Sequence, residues 1–225
     1  MTSTDHPASA QPRATYHHGR LREALIEATV SLAQEIGPEQ VSLREVARRA
    51  GVSPGAPFRH FPTKATLMTA VAEEAIGRMR AEINEALYAA AQEDPLVRFS
   101  AIAAGYLRFV LRNPTHFRIL SDRRLLEWSE TLKTESAAAQ AQMSDALSEA
   151  IAKGLLRHDD LRGMLLDARA ISYGVARTFV DGQMLTWGVT DQEVEAEMEA
   201  VLRRFVQSLA IEPGAHDLSV LSLTR

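Results

Sequence analysis

The 225-residue chain contains no cysteine. Disulfides, thiolate zinc sites and cysteine nucleophiles are therefore excluded together. Long hydrophobic runs are also missing. The longest candidate, residues 164–189, is interrupted by Asp167, Arg169, Arg177 and Asp181, so nothing reaches the roughly 18 apolar residues of a membrane span. The opening MTSTDHPASAQPRA lacks the apolar core of a secretory signal. A cytoplasmic protein without a membrane partner is the expectation. Alternating β-branched runs are absent and helix formers dominate, which makes an all-α fold the expectation. No paired carboxylates, metal-ligand spacing, Gly-rich phosphate loop or nucleophile motif supports an enzyme, and no cofactor is expected. His17 and His18 are adjacent, diverge on a helix and have no ligand at i+4, which argues against a metal site.

What the chain does have is apolar content, 46% of residues, enough for a well-filled interior. Its formal charge of -4 argues against a nucleic-acid binder only until the distribution is considered. Residues 1–64 hold eight Lys/Arg against six Asp/Glu, and within 42–64 five cations face the single acid Glu45. A basic patch on an acidic body suits a protein that points one end at a polyanion, although a solvated helix face can carry the same charges.

Residues 1–15, rich in Ser, Thr, Pro and Ala, read as a disordered arm. Leu21, Leu25, Ala28, Leu32 and Ile36 form one apolar stripe, predicting a helix over 18–36 that Gly37-Pro38 ends. A second, short helix begins at Ser42, where Ser42 and Glu45 fit a capping box. Its inner face is Leu43, Val46, Ala47 and Ala50, and Gly51 supplies a left-handed turn. Ser53 then caps a third helix, with Pro54 at its first position, over 53–61. Thr63 caps a long fourth helix to residue 90. Further helices are predicted near 95–112, 114–121, 123–153, 160–186 and 190–210. The domains expected are a helix-turn-helix domain at 16–64, a connecting helix at 65–92, a helical ligand-binding and dimerisation domain at 93–211, and a flexible tail at 212–225.

Two short helices joined by a Gly turn and packed on a longer first helix make a helix-turn-helix, whose second member can lie in a DNA major groove. The stretch SLREVARRAGVSPGAPFRHFPTKATLMTAV, residues 42–71, preceded by LREALIEATVSLAQEIG, resembles the TetR family of transcriptional regulators. TYHHGRL and GAPFRHF look like the branch with a WHG-type C-terminal domain, although around Tyr173-Gly174 only the Gly of that signature is present. The resemblance implies a homodimer that binds double-stranded operator DNA and is released when a small-molecule effector occupies the C-terminal domain. It places DNA contacts on Ser42, Leu43, Arg44, Pro54, Gly55, Ala56, Phe58, Arg59, His60 and Lys64, and the cap Ser53 joins this set. Arg44 at a helix start can reach a base or phosphate, and the start of the fourth helix, at Thr63 and Lys64, is a natural phosphate site. His17 and Arg20 of the arm can reach the backbone or minor groove, because the first helix starts near DNA in this fold. Arg48 and Arg49 read as a plain solvated face.

Two departures stand out. Phe58 occupies a position where the family usually has Tyr, so a phosphate-contacting hydroxyl is lost. Pro57 removes a hydrogen bond in the first turn and disfavours helical angles at Ala56, predicting a recognition helix that starts late or is distorted. Pro54, Gly55 and Ala56 offer almost no hydrogen-bonding side chains. Direct readout then falls on Arg59, bidentate to a guanine, with Ala56 against a thymine methyl.

In the C-terminal part, Tyr106, Phe109, His116, Phe117, Trp128, Met143, Tyr173 and Arg177 are candidates to wall an effector cavity. The bland alternative is an aromatic core, with Arg177 paired to Asp181 at i,i+4. Arg169, Tyr173, Ala176, Val180, Met184 and Trp187 form one stripe; Val194, Met198, Val201, Leu202, Phe205 and Leu209 form another. Such faces on the last two long helices can meet a symmetry mate in a four-helix bundle. An activator or architectural DNA binder without a ligand is the alternative, favoured by a filled C-terminal core. An interaction protein that has lost DNA binding draws some support from Pro57 and Phe58.

Overall fold

A computed structural model of the protein describes residues 18–223. Among these residues the chain is helical, and its only β-type contact is one bridge between Leu156 and Ala210. The elements are α1 (His18–Ile36), α2 (Leu43–Arg49), a 3-10 turn (Pro57–Arg59), α3 (Lys64–Ala89), α4 (Pro95–Arg112), α5 (Pro114–Ser121), a 3-10 turn (Arg123–Leu125), α6 (Glu130–Ala152), α7 (Leu161–Val180), α8 (Gln183–Thr186), α9 (Val194–Leu209) and a final 3-10 turn (Leu218–Leu221).

The first core gathers α1, α2 and the start of α3. Leu25, Leu32, Val46, Phe61, Leu67, Met68 and Val71 are buried together, joined by Ile119 from α5. The second, larger core lies among α4, α6, α7 and α9 around Leu107, Phe109, Leu147, Met198 and Leu202. Helix α3 belongs to both, with Leu67 and Val71 in the first and Ala75 and Ala86 in the second. It crosses α4 closely: a Cβ on Gly105 would stand 2.6 Å from the Ile83 Cα. That approach is open only to glycine, because no side chain can yield where the opposing atom is backbone.

Caps set most boundaries. Asp94 accepts from the N–H groups of Leu96 and Val97 (2.8 and 3.1 Å), and Pro95 occupies the first position of α4. Thr63 and Thr66 form a reciprocal box at the start of α3. At Ser42 the box is only half made. The hydroxyl accepts from Glu45 N (3.3 Å), but the Glu45 carboxylate accepts from that hydroxyl (2.7 Å) rather than from the backbone N–H.

Three expectations are corrected. The helix expected over 123–153 begins only at Glu130, because Asp122 caps a separate turn and Ser129 caps α6, with extended Leu126 at the end of the turn. The helix expected over 160–186 is broken at Asp181 and Gly182. The tail is not loose through residue 223. Leu218, Leu221 and Leu223 are buried, Arg108 donates to the Ser222 carbonyl (3.0 Å), Leu223 N–H donates to Glu199 (2.6 Å), and His216 Nδ1 meets Asp94 Oδ2 at 3.0 Å. Sequence patterning misses this because three leucines on and just after one short turn carry no periodicity until α4 is beside them.

Candidate nucleic-acid interface and effector cavity

The turn after α2 is built as its sequence requires. Gly51 has φ +68°, Gly51 N–H donates to Arg48 O (3.2 Å) and Val52 N–H to Ala47 O (3.0 Å). These two bonds make a Schellman motif, which needs a left-handed residue at Gly51. Ala47 is fully buried and Val52 packs on the first core.

The segment that follows is not a regular helix. Ala56 N–H donates to Ser53 O (2.9 Å), Arg59 N–H to Ala56 O (3.3 Å), and His60 and Phe61 N–H both to Pro57 O (2.9 and 2.8 Å). Only Pro57–Arg59 winds, as a single 3-10 turn. Ala56 keeps helical angles (φ −61°, ψ −44°), against the expectation that Pro57 would displace it. The interruption therefore comes from the missing Pro57 donor: Ser53 O has no N–H four residues on to receive. Pro57 and Phe61 turn inward and anchor the segment, leaving Ser53, Pro54, Gly55, Phe58 and Arg59 outside, with Ala56 and His60 half-buried.

The expected DNA residues divide accordingly. Arg20, Arg44 and Arg59 are exposed cations, and Phe58 is 48% exposed, an apolar ring in a basic setting. Leu43 is 8% exposed and packs into the first core, so its side chain offers DNA little surface. The Ser42 hydroxyl is engaged with Glu45. Lys64 Nζ donates to the Glu39 carbonyl (2.5 Å), and partial burial lowers its pKa against the pull of Glu39 and Glu45. The Thr63 N–H is used by Thr66 Oγ1 (3.1 Å), which removes it from the expected phosphate site. His17 lies outside the described residues.

Two arginines have roles the sequence did not suggest. Arg49 is no plain solvated residue: it makes a bidentate pair with Glu35 (2.6 and 2.5 Å) and donates to Ser31 (2.6 Å), tying α2 to α1. The Arg22 guanidinium lies 5.6 Å from the Phe61 ring centroid, a cation–π contact that braces the reading segment against α1. Neither partner is at helical spacing, so neither contact leaves a local signal.

The body holds an apolar cavity of about 270 Å³ among α3, α4, α6, α7 and α9. Of the expected wall residues, Tyr106, Met143 and Tyr173 line it. Phe117 stands behind, its ring 6.2 Å from Tyr106 and 6.1 Å from Tyr173. Phe109 is wholly buried in the core and does not line it. His116 packs instead beside Glu74 (3.6 Å), Trp128 carries Arg123 over its ring (4.1 Å), and Arg177 pairs with Asp181 (2.8 Å). These three do not line the cavity. Met79 and Ile83 of α3, Phe99, Ile102 and Ala103 of α4, Ala139 of α6, Ala168, Arg169 and Ser172 of α7, and Leu202, Phe205 and Val206 of α9 complete the lining. A wall shared by five helices has no sequence signature.

The stripes expected to meet a second copy are also revised. Ala176, Met184, Val194, Met198, Leu202 and Leu209 are buried in the protein's own core, and Val180, Val201 and Phe205 are partly so. The large apolar groups left exposed here are Leu166 and Tyr173 on α7, with Leu185 and Trp187 in and after α8. No helix among the described residues is long and apolar enough to cross a membrane.

A helix-turn-helix carried by a larger helical domain with an apolar cavity defines the class: a DNA-binding transcriptional regulator. The sequence pattern of bacterial regulatory proteins of the tetR family matches residues 25–71, and that of the tetracyclin repressor-like C-terminal domain matches 99–205. The chain belongs to the TetR family. It is 28% identical over 167 residues to the nucleoid occlusion factor SlmA of Marinobacter nauticus, covering 72% of this chain and 81% of that protein. It is 36% identical over 84 residues to the HTH-type transcriptional regulator BetI of Yersinia pestis, 37% of this chain and 42% of that one, so this match spans less than half of BetI. A protein of unknown function from Rhodococcus sp. RHA1 shares the fold with a TM-score of 0.68 and 28% identity, covering 88% of this chain and 100% of that one.

Proposed function

We propose that this regulator is a homodimeric repressor that holds a pseudo-palindromic operator and releases it when a small molecule fills the cavity. The observation that carries this reading is the position of α3. Its later turns wall the cavity through Met79 and Ile83, and its first residue follows directly on the reading segment and its Thr63 cap. A ligand that shifts the wall shifts the reading head with it. Arg59 reads a guanine, Phe58 or Ala56 meets a thymine methyl, and Arg20 and Arg44, with His17 of the arm, meet the backbone. Leu166, Tyr173, Leu185 and Trp187 supply apolar area for pairing with a second copy, which sets two heads about one DNA turn apart. The cavity weighs against the ligand-free architectural reading, which a filled body would favour.

The test is a titration of the promoter region beside the protein's own gene, at several salt concentrations, with sedimentation of the free protein in parallel. A dimer, saturable binding with a steep salt dependence and lowered reporter transcription are expected. A strict monomer, or equal and feeble binding to every duplex, overturns the reading.

A further inference from the structure

The geometry points to a compact amphipathic monoanion, a carboxylate on a small aromatic or acyl body, as the cavity's ligand class, with its head on Arg169. This rests on the cavity being an effector site. The interior surface is apolar, and Arg169 is the one charged side chain among the lining residues. It has no carboxylate at ion-pair distance among the described residues. The sequence explains why: the positions three and four away on α7 are Leu165, Leu166, Ser172 and Tyr173, none of them acidic. Arg177, two turns on, has Asp181 at i+4 and is paired at 2.8 Å. Arg169 is also exposed, while Tyr106 and the walls behind it are shielded.

Such a site suits a ligand with its charge at the rim. A carboxylate driven into the apolar interior would lose its hydration without compensation. One held at the mouth keeps water and gains a planar, bidentate guanidinium partner. Among the described residues the hydroxyls of Tyr106, Ser172 and Tyr173 have no hydrogen-bond partner, so they can donate to the same head or to a polar substituent. Burial pushes the Tyr106 phenol well above its usual pKa, which keeps it a donor. No acid lines the cavity to receive an organic cation. The volume of about 270 Å³ sits at the small end of ligand pockets and limits the body to a ring or a short chain.

The test is calorimetric titration of the full chain with two matched trios: 4-butylbenzoate, 4-butylbenzamide and 4-butylbenzylamine, then octanoate, octanamide and octylamine. Within at least one trio the acid is expected to bind at least tenfold tighter than the amide, with the amine weakest. Arg169→Gln brings the acid to within about twofold of the amide, Arg169→Lys keeps a preference for the acid, and Ala139→Phe, which fills the cavity from its half-buried α6 wall, abolishes binding. Equal affinity of acid, amide and amine in both trios, lost in Ala139→Phe, overturns the anion assignment while the cavity stands as a ligand site. A tenfold preference that survives Arg169→Gln overturns the role of Arg169. Failure of all six compounds to bind overturns this inference, while the effector reading beneath it stands or falls on the promoter titration described above.

Discussion

Thr69 and Glu127 exchange two hydrogen bonds: the Thr69 hydroxyl donates to the Glu127 carbonyl at 3.0 Å and accepts from the Glu127 N–H at 2.9 Å. The pair clamps the segment between α5 and α6 onto the first turns of α3. Glu127 also accepts from Thr63 Oγ1 (3.1 Å), and Ser129 donates to Glu73 (2.7 Å). Thr69 is 7% exposed, so Thr69→Val keeps the shape but leaves two backbone groups without partners. It is expected to destabilise by about 1–3 kcal/mol, read from urea denaturation. An unchanged midpoint would show that water replaces the hydroxyl at no cost.

His116 predicts a pH dependence. Burial, followed by the nearby Arg78, lowers its pKa, and Glu74 opposes them. The unfolded chain therefore takes up a proton near pH 6.5, before the folded protein does. The stability from a neutral, buried His116 is present above that value and declines as pH falls through the lower folded pKa. The unfolding midpoint should drop as pH falls below about 6.5, and His116→Gln should flatten this part of the profile. A wild-type slope retained in the variant assigns the effect to other groups.

The docked tail can be tested at Leu221, which is wholly buried. Leu221→Ala is expected to cost about 2–5 kcal/mol, as for other core leucines. Hydrogen exchange in α4 should rise with it. A cost near zero would mean that the tail does not hold its packed position in solution.

Gly105 tests the crossing of α3 and α4. A methyl group there meets the Ile83 backbone, so Gly105→Ala must spread the helices, at about 1–3 kcal/mol. The gain in helix propensity, about 1 kcal/mol, is too small to offset the upper part of that range. Equal or greater stability in the variant would contradict the close approach.

Much of this fold is legible locally. The starts of α4 and α5 follow from Asp94-Pro95 and Asn113-Pro114, and the turn after α2 follows from Gly51, because proline and left-handed glycine act through their own backbone. The distortion near Pro57 is readable for the same reason. What sequence misses depends on partners far along the chain. Leu43 stands among the expected DNA contacts, yet its side chain is packed into the first core. Residues 126–129 continue a helical pattern until Thr69 offers the Glu127 backbone other hydrogen bonds. Aromatic content locates the cavity's neighbourhood but cannot separate Tyr106, which lines it, from Phe109 one turn on, which does not.

The most direct test of the central claim is selection of bound duplexes from a random pool, run in parallel with the wild-type protein and Arg59→Ala. The account predicts a symmetric consensus with two half-sites about one helical turn apart. With Arg59→Ala it predicts a loss of about 1–3 kcal/mol and relaxed preference at one base pair in each half-site. An unenriched pool, or a variant that weakens binding uniformly while keeping the same consensus, would contradict it.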